Sequence, residues 1–262
     1  MESIKVMTFN LRVDNTGDGI NSFTSRRGRV ADMLVRTSPD LIGFQECTGA
    51  MRASLEQSLT DYRFVGCGRE RDYTGESMAI AFKTAEFSLI SEENFWLTAT
   101  PCVPGSTLGG DQSPCPRMAT VAVLYHKRTA KQLCFCNTHL DHQGAIARRI
   151  EAALLCARLE RYAQPIILTG DMNATPDAPE IGILRNAMQA RGAADVTASL
   201  GGTFHNFGRI APENCAKIDY IYTSCPCRVC SIVPREQLCY LLAEYRLGRD
   251  AHPRSGEGIF SY

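Results

Sequence analysis

The run Pro165-Ile166-Ile167-Leu168-Thr169-Gly170-Asp171-Met172-Asn173 constrains this chain more than any other stretch. A short apolar run between a proline and a glycine reads as a buried strand. This one delivers a carboxylate and a carboxamide to its own C-terminal tip. Residues i and i+2 share a strand face, so Asp171 and Asn173 converge on one point if the extended geometry persists that far. Oxygen donors of this kind suit Mg²⁺ or Mn²⁺ rather than zinc. An Asx turn closing the strand explains the same two residues, and the stretch alone leaves both readings open.

Other strands end in the same way. Ile4 to Asn10 carries apolar bulk on both faces, as a central strand of a sandwich does, and ends at Asn10. Asp40 to Glu46 is a second buried strand ending in a carboxylate. Tyr62–Val65 and Met78–Phe82 read as further strands. Met118–Tyr125 and Leu133–His139 read as an antiparallel pair, the second running into Asn137-Thr138-His139-Leu140-Asp141. Lys217–Tyr222 reads as a strand with Asp219 in its middle, where a carboxylate flanked by Ile and Tyr needs a partner or a cation.

Helices fill the gaps. Val30–Val35 forms the core of one that stops before Ser38-Pro39. Met51–Leu59 is amphipathic at helical spacing, and Gly144–Tyr162 carries Ala, Leu and Ile along one side. A fourth helix starts at Asp177-Ala178-Pro179-Glu180, with Asp177 as its expected cap. Arg26-Arg27-Gly28-Arg29 is either a solvated helix start or a phosphate-facing patch, and the solvated reading is the simpler. Leu97–Pro116 has no periodicity and reads as a long rim loop.

Composition narrows the class. The 262 residues hold no repeat, linker or composition break, so one domain over residues 1–262 is expected. Lys plus Arg and Asp plus Glu number 28 each, so a nucleic-acid partner would need local basic patches. No apolar run approaches a membrane span, and the N-terminus does not resemble a signal peptide, so a cytoplasmic protein with no membrane contact is expected. In that setting the twelve cysteines are expected to be mostly reduced thiols without metal. Cys225, Cys227 and Cys230 cluster without a second pair at zinc-finger distance.

Asn10, Glu46, His139, Asp171, Asn173 and Asp219 all stand at strand ends or inside apolar strands. Each alone has an ordinary structural explanation. Two stacked sheets whose strand tips converge would gather all six at one edge. Carboxylates then hold a divalent cation, amides orient a phosphate and a nucleophile, and an imidazole stabilises charge on oxygen.

Thr8-Phe9-Asn10-Leu11, Gly43-Phe44-Gln45-Glu46, Asn137-Thr138-His139-Leu140-Asp141, Gly170-Asp171-Met172-Asn173 and Lys217-Ile218-Asp219-Tyr220-Ile221 follow one another in that order. The series resembles the successive motifs of the endonuclease/exonuclease/phosphatase superfamily, which includes pancreatic-type deoxyribonuclease, deadenylases and inositol-polyphosphate 5-phosphatases. The resemblance implies an α/β fold, a four-layer α/β/β/α sandwich of two mainly antiparallel sheets face to face with outer helices. It implies Mg²⁺ (or Mn²⁺) held by Glu46 with Asn10 beside it. Asp171 would orient or deprotonate the attacking water, Asn173 would hold the phosphate or nucleophile, and His139 would stabilise phosphorane-like charge. Asp219 would be a second acid. The implied substrate is a phosphate ester, with nucleic acid among the candidates.

The superfamily's closing Ser-Asp-His motif is absent. Tyr240–Arg246 has flanking residues of the right kind but Ala243-Glu244 in the motif's place. Asp250-Ala251-His252-Pro253 has an acid and an imidazole with one residue inserted, which reads either as a polar turn or, if the segment is irregular, as a stand-in through His252; His142 and His205 are the other imidazoles that could serve. Two functions follow: a metal-dependent phosphoesterase, foremost a phosphodiesterase or nuclease, or an impaired relative that binds phosphate-rich ligands or a protein partner. Oligomeric state is unreadable.

Overall fold

The computed structural model describes residues 2–224, 227–232 and 241–247. The first half contains β1 (Glu2–Asn10), α1 (Phe23–Thr37), β2 (Leu41–Gln45), β3 (Cys47–Thr48), α2 (Gly49–Ser58), β4 (Tyr62–Val65), β5 (Glu76–Ser77), β6 (Ile80–Lys83) and β7 (Phe87–Trp96). The second contains β8 (Met118–His126), β9 (Lys131–His139), α3 (Ala145–Leu159), β10 (Ile166–Asp171), α4 (Pro179–Ala190), β11 (Ala194–Asp195), β12 (Asp219–Thr223), β13 (Cys227–Ile232) and β14 (Leu241–Leu247).

Two six-stranded sheets form, ordered β13-β14-β1-β2-β6-β4 and β11-β12-β10-β9-β8-β7. Three apolar clusters show how they stack. Ile4, Val6, Leu41 and Phe82 of the first sheet meet Leu124, Phe135, Ile167 and Ile221 of the second between the sheets. The outer face of the first sheet packs on α1 and α2 through Val30, Leu34, Met51 and Leu55. The outer face of the second packs on α3 and α4 through Leu155, Leu159, Ile181 and Leu184. Both sheet faces are therefore covered by apolar surface, each fully buried side chain contributing about 1.5–3 kcal/mol. The result is the four-layer α/β/β/α sandwich.

The sheets are mainly antiparallel, and each contains one parallel pair: β1 with β2, and β9 with β10. A parallel pair needs a crossover connection, which α1 supplies in the first sheet and α3 in the second. Parallel strands end at the same sheet edge. Asn10 is therefore level with Gln45, and His139 with Asp171. β12 runs antiparallel to β10 and starts at Asp219, opposite Asp171.

Beneath that edge the two sheets are pinned by polar contacts. Asn137 is fully buried; its Nδ2 donates to the carbonyls of Phe44 at 2.7 Å and Ala79 at 3.1 Å. Its Oδ1 accepts from Gln45 Nε2 at 2.6 Å and Thr169 Oγ1 at 3.1 Å. Gly43 makes room for this: a Cβ there would lie 2.2 Å from Thr169 Oγ1 and 2.6 Å from Asn137 Oδ1.

Several expectations need correction. The first helix begins at Phe23, capped by the Ser22 side chain on the Ser25 N–H. Arg26 thus lies within a helical turn facing inward. It is buried, donating to Asn21 O at 2.6 Å and Leu11 O at 2.8 Å, while Arg27 is exposed. Asp177 does not cap α4. The N-cap is Ala178 without a side-chain bond, because Pro179 sets the first helical φ, and Asp177 accepts from Thr175 instead. Asp219 opens its strand rather than standing mid-strand. β7 is an edge strand whose polar run Ser91–Asn94 and register shift near Leu89 hide it from an apolar-pattern reading. The Leu97–Pro116 stretch is irregular, as its composition implies. Among the described residues no helix is long and apolar enough to cross a membrane.

Candidate active site

Asn10, Glu46, His139, Asp171, Asn173 and Asp219 line one cavity of about 520 Å³. The edge at which the parallel strands end brings them there.

Asn10 sits at the centre. Its Nδ2 donates to Glu46 Oε1 and to Asp171 Oδ2, both at 2.9 Å, tying the first sheet to the second. Its Oδ1 accepts from the Arg12 N–H at 2.8 Å. Glu46 lies one residue beyond β2 with φ +56°, a left-handed conformation rare for Glu. That turn aims the carboxylate back over the strand tips, where Oε2 accepts from the Val13 N–H at 2.8 Å. Strain of this kind costs about 1–3 kcal/mol and concentrates at functional positions.

Asn173 also has positive φ, +47°, so the strand does not persist to it. An Asx turn forms instead, with the Asn173 N–H on Asp171 Oδ1 at 2.9 Å. The turn swings the side chain so that Nδ2 donates to the Leu140 carbonyl at 3.0 Å and meets His139 Nε2 at 2.9 Å. The two readings of this stretch are therefore both realised: the turn is what puts Asn173 in the site. An amide NH₂ donates, so His139 Nε2 accepts here. Nε2 is also 3.7 Å from Asp171 Oδ2.

The electrostatics follow from burial and crowding. Asp171 is pushed well above the usual carboxylate range, first by burial and then by Asp219 across the strand pair. Burial lifts Asp219 to about 6, against the Thr203 hydroxyl and Lys217, which pull it down. His139 is held well below its ordinary value by burial and by the cations of Arg117 and Arg69. The site thus gathers crowded acids that hold their protons more tightly than usual next to an imidazole that holds its proton less tightly. Its donors are carboxylate and amide oxygens, the chemistry that hard divalent cations take. Among the described residues, no three His, Cys, Asp or Glu side chains form a ready ligand cage.

Besides Arg26, four arginines outside the motifs line the cavity: Arg12, Arg69, Arg117 and Arg209. Arg12 pairs with Asp18 at 3.0 Å. Arg69 lies in a turn, and Arg117 closes the long irregular stretch just before β8. Neither has a periodic neighbour pattern that would mark it in sequence. His142 and His205 line the cavity as well. His252 and Asp250 lie outside the described residues, as does Cys225; Ala243 and Glu244 are in β14, paired with Val6 and Lys5. Cys134, Cys136 and Cys156 are free thiols in the core under α3.

No curated protein matches the chain. Solved structures do. An endonuclease/exonuclease/phosphatase from Bacteroides vulgatus is 29% identical, the likeness spanning 95% of this chain and 100% of that one, with a TM-score of 0.85. The mannosyl-6-phosphatase of Bacteroides thetaiotaomicron VPI-5482 is 26% identical over 93% of this chain and 100% of its own, with a TM-score of 0.81. The human Nocturnin catalytic domain shares the fold, at 17% identity over 93% of both chains with a TM-score of 0.72. A sequence model of the Endonuclease/Exonuclease/phosphatase family matches residues 7–236, and this chain belongs to that family.

Proposed function

We propose that this protein is a divalent-metal-dependent phosphoesterase that hydrolyses a small phosphate ester, working in the cytoplasm. The observation that carries the reading is the Asn10 side chain bridging Glu46 and Asp171 beside His139. Those four side chains come from both sheets, and a purely structural role does not require acids from two sheets to meet at an open cavity.

Glu46, with Asn10 beside it, would hold Mg²⁺ or Mn²⁺. Mg²⁺ keeps several waters and needs only one or two carboxylates, which agrees with the sparse ligand set. When bound, the ion supplies positive charge to phosphate oxygens. Asp171 accepts from Asn10 and the Asn173 N–H, which orient its carboxylate toward an attacking water. Its raised proton affinity suits a group that takes a proton from water. His139, its proton affinity lowered by burial, lines the cavity beside Asp171, and Asn173 fixes the ring's orientation. Asp219 keeps Asp171 basic by like-charge repulsion.

A cavity of about 520 Å³ is the size of a small-molecule site. That favours a compact ester over a duplex, so a nuclease activity is the second reading. The 26% identical mannosyl-6-phosphatase supports the first. A panel of p-nitrophenyl phosphate, a hexose 6-phosphate, bis-p-nitrophenyl phosphate and single- and double-stranded oligonucleotides, each with Mg²⁺ or EDTA, tests it. Metal-dependent turnover of the small esters is expected. Turnover of oligonucleotides alone would establish the nuclease reading, and no turnover of any would leave an impaired, binding-only relative.

A further inference from the structure

Arg69 and Arg117 are deeply buried charged side chains, 6% and 3% exposed, in the wall of the cavity that holds Glu46 and His139. They arrive from unrelated parts of the chain, and both act on His139. Each is locked in place. Arg69 Nη2 donates to Glu76 Oε1 at 3.0 Å, and its carbonyl accepts from Trp96 Nε1 at 2.7 Å. Arg117 Nη2 donates to His142 Nδ1 at 2.7 Å, and Nε lies 3.4 Å from Asp141 Oδ2. A guanidinium only donates, so His142 Nδ1 accepts and its ring proton is on Nε2. Asp141 is itself held by the N–H groups of Ser113, Gln143 and Gly144, at 3.2, 2.9 and 2.7 Å.

Neither guanidinium has all its donors in hydrogen bonds. Arg69 Nε lies 3.7 Å from Glu70 Oε1, an ion pair too long for a hydrogen bond, and Arg117 Nη1 is buried with no hydrogen-bond partner. An unmade bond on a buried charged donor is costly. A pair of arginines held rigid beside one cavity, with donor capacity left over, is built to receive an anion.

We propose that Arg69 and Arg117 form an anion subsite for the terminal phosphoryl group of a phosphate monoester, and that this pair selects monoesters over diesters. The proposal rests on the phosphoesterase reading above and narrows its substrate class. A monoester near pH 8 carries two negative charges on three terminal oxygens, whereas a diester carries one on two. The Asn10–Glu46–Asp171 cluster, with a cation bound, would serve both alike. The second charge and third oxygen need further fixed cations, and these two line the same cavity as that cluster.

The test has a binding arm and a kinetic arm. Calorimetry at pH 8, with Mg²⁺ and with EDTA, compares inorganic phosphate with dimethyl phosphate on the wild type, Arg69→Gln and Arg117→Gln. The wild type is expected to bind phosphate about tenfold or more tightly than dimethyl phosphate. Each variant is expected to lose about tenfold for phosphate and under about threefold for dimethyl phosphate. In the kinetic arm, kcat/KM falls far more for p-nitrophenyl phosphate than for bis-p-nitrophenyl phosphate, and Arg117→Lys restores part of the loss. Equal wild-type affinity for the two anions, or equal losses on both substrates, overturns the proposal. If the glutamine variants fail to fold, the wild-type comparison decides alone. If the wild type hydrolyses neither ester, the phosphoesterase reading fails while the phosphate comparison still decides the subsite.

Discussion

Asp171 and Asp219 stand opposite one another across the β10–β12 pair, two acids in register at the mouth of the same cavity. Like charges so placed destabilise each other unless a cation or a proton intervenes. Asp219→Asn should therefore raise the melting temperature of the metal-free protein. Asp219 is partly open to the cavity, so the gain is on the order of 1–2 kcal/mol, or a few degrees for a chain of this size. Differential scanning calorimetry in EDTA measures it. An unchanged or lower melting temperature would mean that Thr203 and Lys217 already offset the charge.

Glu46→Gln should lose most of the affinity for Mg²⁺, because a carboxylate's charge is what holds a hard cation. It should also cost the metal-free protein about 1 kcal/mol. Both Glu46 oxygens accept N–H groups, from Asn10 and Val13, and an amide NH₂ would turn a donor toward one of them. Isothermal titration with MgCl₂ and a melt of each protein check the two effects. Equal Mg²⁺ affinity in both proteins would remove Glu46 from the metal site.

The fold and the six strand-tip residues were legible because each polar residue follows a run of core strand, and because core strands in one sheet end together. Asn10 and Asp171 could be named from that pattern alone. What could not be read is carried by pairs distant in sequence. Arg117 depends on Asp141 and His142, more than twenty residues on, and Arg69 on a turn with Glu76. Their segments have no periodicity to place them. Arg26 misled for the opposite reason: its Arg-Arg-Gly-Arg setting reads as solvated, yet the backbone carbonyls of Asn21 and Leu11 satisfy it inside. Gly43 and Asn137 were visible as motif residues, but their work between the sheets needs the second sheet in place to be seen.

Gly43→Ala should be among the most damaging single-methyl changes in the protein. The new Cβ would overlap Thr169 Oγ1 and Asn137 Oδ1 at 2.2 and 2.6 Å, so the buried amide must move and its bonds to Phe44, Ala79 and Gln45 weaken together. A loss of about 3 kcal/mol or more is expected. Urea denaturation reads it. A loss under about 1 kcal/mol would show that the sheets separate easily there.

Glu151, which lies outside the cavity lining but holds the Asp141 backbone, gives the protein a pH-dependent stability. It is completely buried in α3; Oε2 accepts the Asp141 N–H at 2.8 Å and Oε1 has no partner. Burial pushes its carboxyl up to about 7. The folded value lies above the unfolded one, so the folded state binds the proton more tightly. Its stabilising contribution is complete below about pH 4 and disappears as pH rises through about 7. Glu151→Gln should be the more stable protein at pH 8 by on the order of 1–2 kcal/mol, after allowing for its unpaired NH₂. At pH 4.5 the two should melt nearly together. Parallel slopes of melting temperature against pH would show that Glu151 is not the group responsible.

The imidazoles can be separated by substitution. Among the five histidines, His126 belongs elsewhere, bonded to Thr129 in the turn after β8. His139→Ala should lower kcat by about a hundredfold or more with little change in melting temperature, as loss of a group facing the reacting oxygen does. His142→Ala should act mainly on KM, because its Nδ1 holds Arg117 rather than touching the reacting centre. The family's closing motif implies a second imidazole at the centre, and His252 with Asp250 is the pair the chain offers. His252→Ala should then match the loss in His139→Ala. An enzyme that keeps its rate without His252 would show that the role is not filled from there. The test would then move to His205, which lines the cavity with Nδ1 accepting from the Gly208 N–H at 2.8 Å. That bond leaves Nε2 carrying the proton, so His205→Ala would have to show the loss instead.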